Sequence, residues 1–256
     1  MFNPFDYPFL ILLACLPTFW TSAWIGLSLR ARRQNQMEDS HDDFAFVLGA
    51  ALTLLGLIIG FTFSMAVSRY DQRKNLEEEE ANAIGTEYVR ADLLPAADAE
   101  KVRVLLKNYL DQRMLYYKAR DKQKLSRVRA EIALLQTEMW AAVATPAVLE
   151  PTPVKALAVA GMNDVLNSEG YTQAAWWNRL PIAAWALLIT ISIFCNLLIG
   201  YVAHRKSAFL FLILPITLSI SLFLIADIDS PRGGVIRVRP QNLERLAESL
   251  HSPQGG

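Results

Sequence analysis

The sequence predicts an all-α membrane protein, with four transmembrane helices and a helical extramembrane segment between helices 2 and 3. Two observations carry that class. Four windows, Tyr7–Leu29, Phe44–Ser68, Leu180–Ala203 and Ser207–Ala226, hold no charged side chain. Each reaches the roughly 20 residues that a helix needs to cross a hydrocarbon core of about 30 Å. The stretch Arg69–Arg179 is instead polar, with 16 basic and 16 acidic side chains, and its apolar residues recur at helical spacing. The resulting organisation is 1–68 for transmembrane helices 1 and 2, 69–179 for the extramembrane segment, 180–226 for helices 3 and 4, and 227–256 for a C-terminal tail.

The first window reads as a retained span. Nothing basic precedes it, Pro17 sits inside it, and it exceeds the about 7–15 apolar residues of a signal-peptide core. Tyr7 opens it at the interface, as aromatics do. The second window runs into charged sequence with no proline until Pro95, so Leu76–Leu94 reads as its continuation. From Ala97 to about Ala144 there is neither proline nor glycine. Val102, Leu105, Leu106, Tyr109 and Tyr116 form one apolar face there. Leu125, Val128, Ile132, Leu135 and Met139 form another, stepping by three and four. The expected use of these stripes is packing among the segment's own helices. Pro146, Pro151 and Pro153 are expected to break the chain, with a shorter helix over 154–166 and a connection through Asn167–Tyr171. Trp176 and Trp177 mark the edge of the third window, Pro181 suits its first turn, and Tyr201 closes it. Pro215 predicts a kink in the fourth. The tail reads as a turn, an extended piece around Val235–Val238, a small amphipathic helix, and a disordered end.

Composition excludes several classes. The chain carries 25 basic and 25 acidic residues, which is not the basic excess of a nucleic-acid surface. Cys15 and Cys195 both lie in apolar windows and read as small core residues, not as a disulfide framework. His41, His204 and His251 are isolated, with no metal-ligand spacing, and no phosphate loop or nucleophile elbow is present. No cofactor, metal or catalytic residue is therefore assigned, and the protein is not expected to be an enzyme.

The second window carries the most pattern. Gly56 and Gly60 make a G-x-x-x-G step, and with Gly49, Thr53 and Ser64 they form a stripe of small residues. Such stripes let helix backbones approach closely in lipid, within one subunit or between subunits. Beyond the window come Arg69, Tyr70, Asp71, Arg73 and Lys74, then Glu77–Glu80. Four acids in a row cover a whole helix turn and read mainly as a solvated face. The pairs Arg73–Glu77 and Lys74–Glu78 would add only ~0.2–0.5 kcal/mol each. Asn196, deep in the third window, is expected to make an interhelical hydrogen bond.

The stretch LLGLIIGFTFSMAVSRYDQR, Leu54–Arg73, resembles the second membrane helix of the bestrophins, with Gly60-Phe61 near its middle and Arg69-Tyr70 at its inner end. IADIDSPRGG, Ile225–Gly234, is similar to the bestrophin stretch in which an acidic pair precedes Pro-aromatic-Gly. The layout fits the bacterial bestrophin-like domain family, over Phe44–Arg90 and Leu180–Pro240. The resemblance implies a pentameric anion channel in the cell (inner) membrane, with small anions and the lipid bilayer as partners. It places a pore neck at Thr53, Leu57 and Phe61, where Phe61 matches in type, Leu57 is a weaker apolar match and Thr53 departs. Arg69, Arg73 and Glu77 would stand at the pore mouth, and Gly49, Gly56 and Gly60 would serve helix packing. Arg232 replaces the aromatic and VIRVRP follows in place of acids, so no calcium site is expected.

A second reading is a membrane-anchored helical sensor or scaffold that binds a protein partner through the Leu125–Met139 stripe and conducts no ions. The bestrophin layout puts the central segment in the cytoplasm. The short loops with Arg30, Arg32, Arg33, Arg205 and Lys206 put it outside by positive-inside counting.

Overall fold

A computed structural model describes residues 7–33, 41–202 and 210–251. The described residues form helices α1 (Pro8–Arg33), α2 (His41–Arg90), α3 (Ala96–Lys118), α4 (Lys122–Leu149), α5 (Pro153–Trp177), α6 (Ile182–Val202), α7 (Leu210–Asp229) and α8 (Gln241–His251), with a 3-10 turn at Ala91–Leu93. Among them there is no strand. Arg205, Lys206 and His204 lie outside the described residues, as do the last residues of the tail and the side chains of Arg32, Arg33 and His41.

Among the described residues five helical stretches are long and apolar enough to cross a bilayer: Pro8–Ala31, Phe44–Leu93, Lys122–Leu149, Pro153–Val202 and Phe211–Asp229. Four of them hold the uncharged windows. The fifth is α4, so length and apolarity alone do not fix the number of spans at four. α2 has 50 residues. At a rise of 1.5 Å per residue it is about 75 Å long, more than twice a hydrocarbon core.

The chain divides into two compact units. The first comprises Met1–Tyr70 and Arg179–Arg237, the second Asp71–Asn178 and Val238–Gly256.

In the first unit α1 packs along α6 and α7. Phe19, Leu55, Leu188, Cys195, Leu222 and Ile225 are buried at its centre. α1 and α6 cross where Gly26 meets Leu197 and Tyr201, and Gly200 meets Ala23. Arg30 Nη1 donates to the Val202 carbonyl at 2.5 Å, placing a cation at the negative end of α6. The Asn196 amide is fully buried, but its Nδ2 donates to Ser192 O at 2.7 Å, one turn back on its own helix. The expected interhelical bond is thus replaced by a bond along α6. After α7 the chain turns back on itself. The Asp227 carboxylate accepts from Val235 N (2.7 Å) and Ile236 N (2.8 Å). Gly234 sits so close to Asp227 O, 2.5 Å from where a Cβ would stand, that no larger residue fits that turn.

In the second unit α3 packs on α4, α4 on α5, and α8 on α3. Val102, Leu105, Leu106, Tyr109 and Tyr116 of α3 are all buried. Val128, Ile132 and Met139 of α4 are buried, with Leu125 and Leu135 half-buried. Both stripes are therefore used in packing. The expected break at Pro146 does not occur, and α4 runs through it to Leu149. Val143 and Pro146 are buried there, so packing offsets the ~3 kcal/mol that an interior proline costs. The Pro146 carbonyl takes Glu150 N at 3.2 Å and Lys155 Nζ at 3.3 Å. α5 then starts at Pro153, with the Thr152 hydroxyl accepting from Lys155 N. It also outruns the expected 154–166 helix, because Ser168, Thr172, Ala175 and Trp176 continue its buried face.

Candidate functional site: the open face of α2

Helical periodicity divides the membrane part of α2 into two faces. Leu48, Leu55, Thr62 and Ala66 are buried and lie close together on one side. Gly49, Thr53, Gly56, Leu57, Gly60, Phe61 and Ser64 are all exposed on the opposite side. At 100° per residue these seven positions span an arc of about 140°. Leu57 is 54% and Phe61 64% exposed. A Cβ added at Gly49, Gly56 or Gly60 would meet nothing within 4 Å. So the residues carried over as a pore neck and the residues of the packing stripe share one face, and no described residue covers it. The close helix crossing inside the chain is made by Gly26 and Gly200, two isolated glycines that no short motif announces. The Thr53 hydroxyl donates to Gly49 O at 2.9 Å and stays on the exposed face.

The charged residues past the window take several roles. Arg69 Nη1 lies 3.8 Å from Asp229 Oδ1 in the first unit, and Asp229 also accepts from Leu180 N at 3.2 Å. Arg73 and Glu77 belong to the second unit and are almost wholly buried. Glu77 caps α8 from outside. Its carboxylate accepts from Asn242 N (2.9 Å), Leu243 N (3.0 Å) and Asn242 Nδ2 (2.7 Å). Burial pushes its pKa up, the three donors pull it back, Glu80 adds to the rise, and the balance is upward.

Glu80 is the centre of a second network. It is fully buried, as is Arg113 of α3. Arg113 Nε and Nη2 both reach the carboxylate, the latter at 3.0 Å. Tyr117 Oη and the Thr172 hydroxyl each donate to Oε2 at 3.2 Å. Arg113 also pairs with Glu169 at 3.5 Å and stacks over Tyr116 at 4.7 Å. Burial works against its charge, but Glu80 outweighs that and the guanidinium pKa rises. Burial, reinforced by Glu80, raises the Tyr117 phenol. Of the four acids in Glu77–Glu80, only Glu78 and Glu79 form the expected solvated face. The signal that separates them is spacing. Arg73, Glu77, Glu80, Ile84, Glu87 and Ala91 fall on one helix face, and all are buried.

Among the described residues no cluster of three or more His, Cys, Asp or Glu could hold a metal ion.

An all-helical chain with long apolar helices and an uncovered small-residue face defines a class, the helical membrane proteins. The sequence matches the Bestrophin-like domain over residues 16–243, and the chain belongs to that family. Among solved structures it is similar to a bacterial bestrophin homolog from Klebsiella pneumoniae, with a TM-score of 0.67, 16% identity, and coverage of 94% of this chain and 96% of that one. A point variant of that homolog gives a TM-score of 0.68 at 14% identity, covering 93% and 98%. A further structure, described only as a membrane protein, gives 0.68 at 15% identity, covering 94% and 99%. At these identities the likeness concerns the fold. No curated protein sequence matches the chain.

Proposed function

We propose that the protein is a bestrophin-like anion channel: a homo-oligomer, pentameric as in the bestrophins, whose α2 helices surround an axial path. The observation that carries this reading is the open face of α2, uncovered from Gly49 to Ser64. A small-residue face without a partner suits close approach by copies of the same helix. Leu57 and Phe61 on that face suit an apolar constriction, the kind that gates by dewetting. Thr53 would make its end of the neck wetter than a fully apolar one. Arg69 is the pore-mouth candidate that remains partly exposed. Arg73 and Glu77, being buried, would shape the helix end and hold α8 without meeting the ion. Four spans, α1, α2, α6 and α7, belong to this arrangement, in the cell (inner) membrane. α4 would stay outside the membrane with the rest of the second unit. The family likeness supports a transport role over catalysis. The scaffold reading loses its main support, because the Leu125–Met139 stripe is taken up by packing within the chain.

The test is reconstitution in liposomes with chloride flux as the readout, alongside native mass spectrometry. A symmetric oligomer whose flux increases on Phe61→Ala supports the reading. A stable monomer in mild detergent, or flux indifferent to Phe61→Ala, overturns it.

A further inference from the structure

Glu87, near the end of α2, belongs to neither network described above. Its side chain is fully buried, and neither carboxylate oxygen accepts a hydrogen bond from a described residue. It lies against α5 at Gly161. A Cβ on that glycine would collide with Glu87 Oε2 and stand 2.6 Å from Arg90 Nη1. The absence of a side chain at Gly161 therefore makes the room that the carboxyl group occupies. The charges acting on Glu87 are Arg90, three residues on along α2, and Asp164, three residues past Gly161 on α5. No ion pair joins Glu87 to Arg90 among the described residues. On the neighbouring elements Asp92 pairs with Arg103, and Arg103 and Lys107 stand over the Tyr88 ring.

Glu87 and Glu80 differ in what surrounds them. Both acids are fully buried. Glu80 has an arginine and two hydroxyls donating to it, so its charge is compensated. Glu87 has no donor, and a buried carboxylate without donors is strongly disfavoured relative to its neutral form. Burial accordingly pushes its pKa up to about 8, with Arg90 pulling down and Asp164 pushing up.

We propose that Glu87 is a proton-binding site that fastens α2 to α5. Protonated, it sits against Gly161 and closes the contact. Ionised, it must recruit water or leave the contact, and the two helices part locally. The inference stands on the second unit alone and does not depend on ion conduction. The folded form binds the proton more tightly than an ordinary carboxyl of pKa 4.5. The contact's contribution to stability is therefore complete below about that pH and is lost as pH rises through about 8.

Hydrogen exchange on the full-length protein in neutral-lipid nanodiscs tests this, with rates corrected for intrinsic pH dependence. In the wild type, exchange of the segments around residues 82–90 and 156–166 should rise at least about tenfold between pH 6 and pH 9, one pKa unit being a factor of ten. In Glu87→Gln the rise should vanish. In Asp164→Asn, at an exposed position, it should move to lower pH, because a like charge has gone. Wild-type protection that ignores pH over this range overturns the proposal, as does a Glu87→Gln variant that keeps the wild-type profile. If Glu87→Gln fails to fold, an unmoved profile in Asp164→Asn overturns it.

Discussion

Gly26 of α1 and Gly200 of α6 lie at one helix crossing, each against the other helix's backbone. A Cβ on Gly26 would run into Leu197 O and stand 2.9 Å from Tyr201 N, and one on Gly200 would run into Ala23 O. Backbone atoms cannot swing aside as a side-chain tip can. Gly26→Ala and Gly200→Ala should therefore push the helices apart, at the cost of about 1–3 kcal/mol that overpacking typically carries. Both variants should melt below the wild type in the same detergent. The double variant should lose less than the sum, because one displacement relieves both clashes.

The Glu80–Arg113 pair makes a different prediction. Glu80→Ala leaves a guanidinium with 0% side-chain exposure short of its main counter-charge. Breaking a buried pair in this way costs about 3–5 kcal/mol. Replacing both members, as in Glu80→Leu with Arg113→Met, removes the stranded charge along with the pair. Thermal melts should show the double variant more stable than Glu80→Ala. A double variant no better than the single would mean that Tyr117, Thr172 and Glu169 need the arginine as much as Glu80 does.

Much of this fold is legible in the sequence because lipid imposes a simple rule, the absence of charge over about 20 residues. The four windows fall on α1, α2, α6 and α7 for that reason. The apolar stripes of α3 and α4 are legible through their spacing. What escapes is whatever depends on a partner distant in sequence. Glu77 and Glu80 look like members of a solvated run until Asn242, Leu243 and Arg113 arrive from other helices. Arg113 itself lies in line with Val102, Leu106 and Tyr109, and a cation on a buried face is a signal that an acid waits opposite. Pro146 misleads because the cost of an interior proline is local, whereas the burial of Val143 and Pro146 that offsets it is tertiary. Gly26 and Gly200 carry no motif, while the conspicuous Gly56-x-x-x-Gly60 step meets no other described element.

Glu77 supplies the α8 N-terminus with a cap that α8's own sequence lacks. Its carboxylate takes two backbone donors and the Asn242 side chain. Glu77→Ala should cost about 0.5–2 kcal/mol, the range for loss of a helix cap. The loss should be local. Hydrogen exchange should increase in α8, Gln241–His251, before it increases in α3 or α4. The ion pair Lys118–Glu244, at 2.7 Å but well exposed, should contribute too little to hold α8 in place alone.

The two kinds of glycine should respond to substitution in opposite ways. Gly56 and Gly60 have open space where a side chain would stand, so Gly56→Leu and Gly60→Leu should leave the fold of a single chain unchanged. If copies of α2 meet through this face, the same substitutions force their backbones apart and remove the close approach that drives association in lipid. Native mass spectrometry in mild detergent should then show the oligomer replaced by smaller species. Circular dichroism should show unchanged helix content, and the residual monomer should melt as the wild-type monomer does. The converse holds for Gly26→Ala and Gly200→Ala, which should lower the melting temperature without selecting for smaller species. An assembly that tolerates leucine at both Gly56 and Gly60 would place the contact between copies elsewhere on the molecule, and would leave the open face of α2 without the role proposed for it.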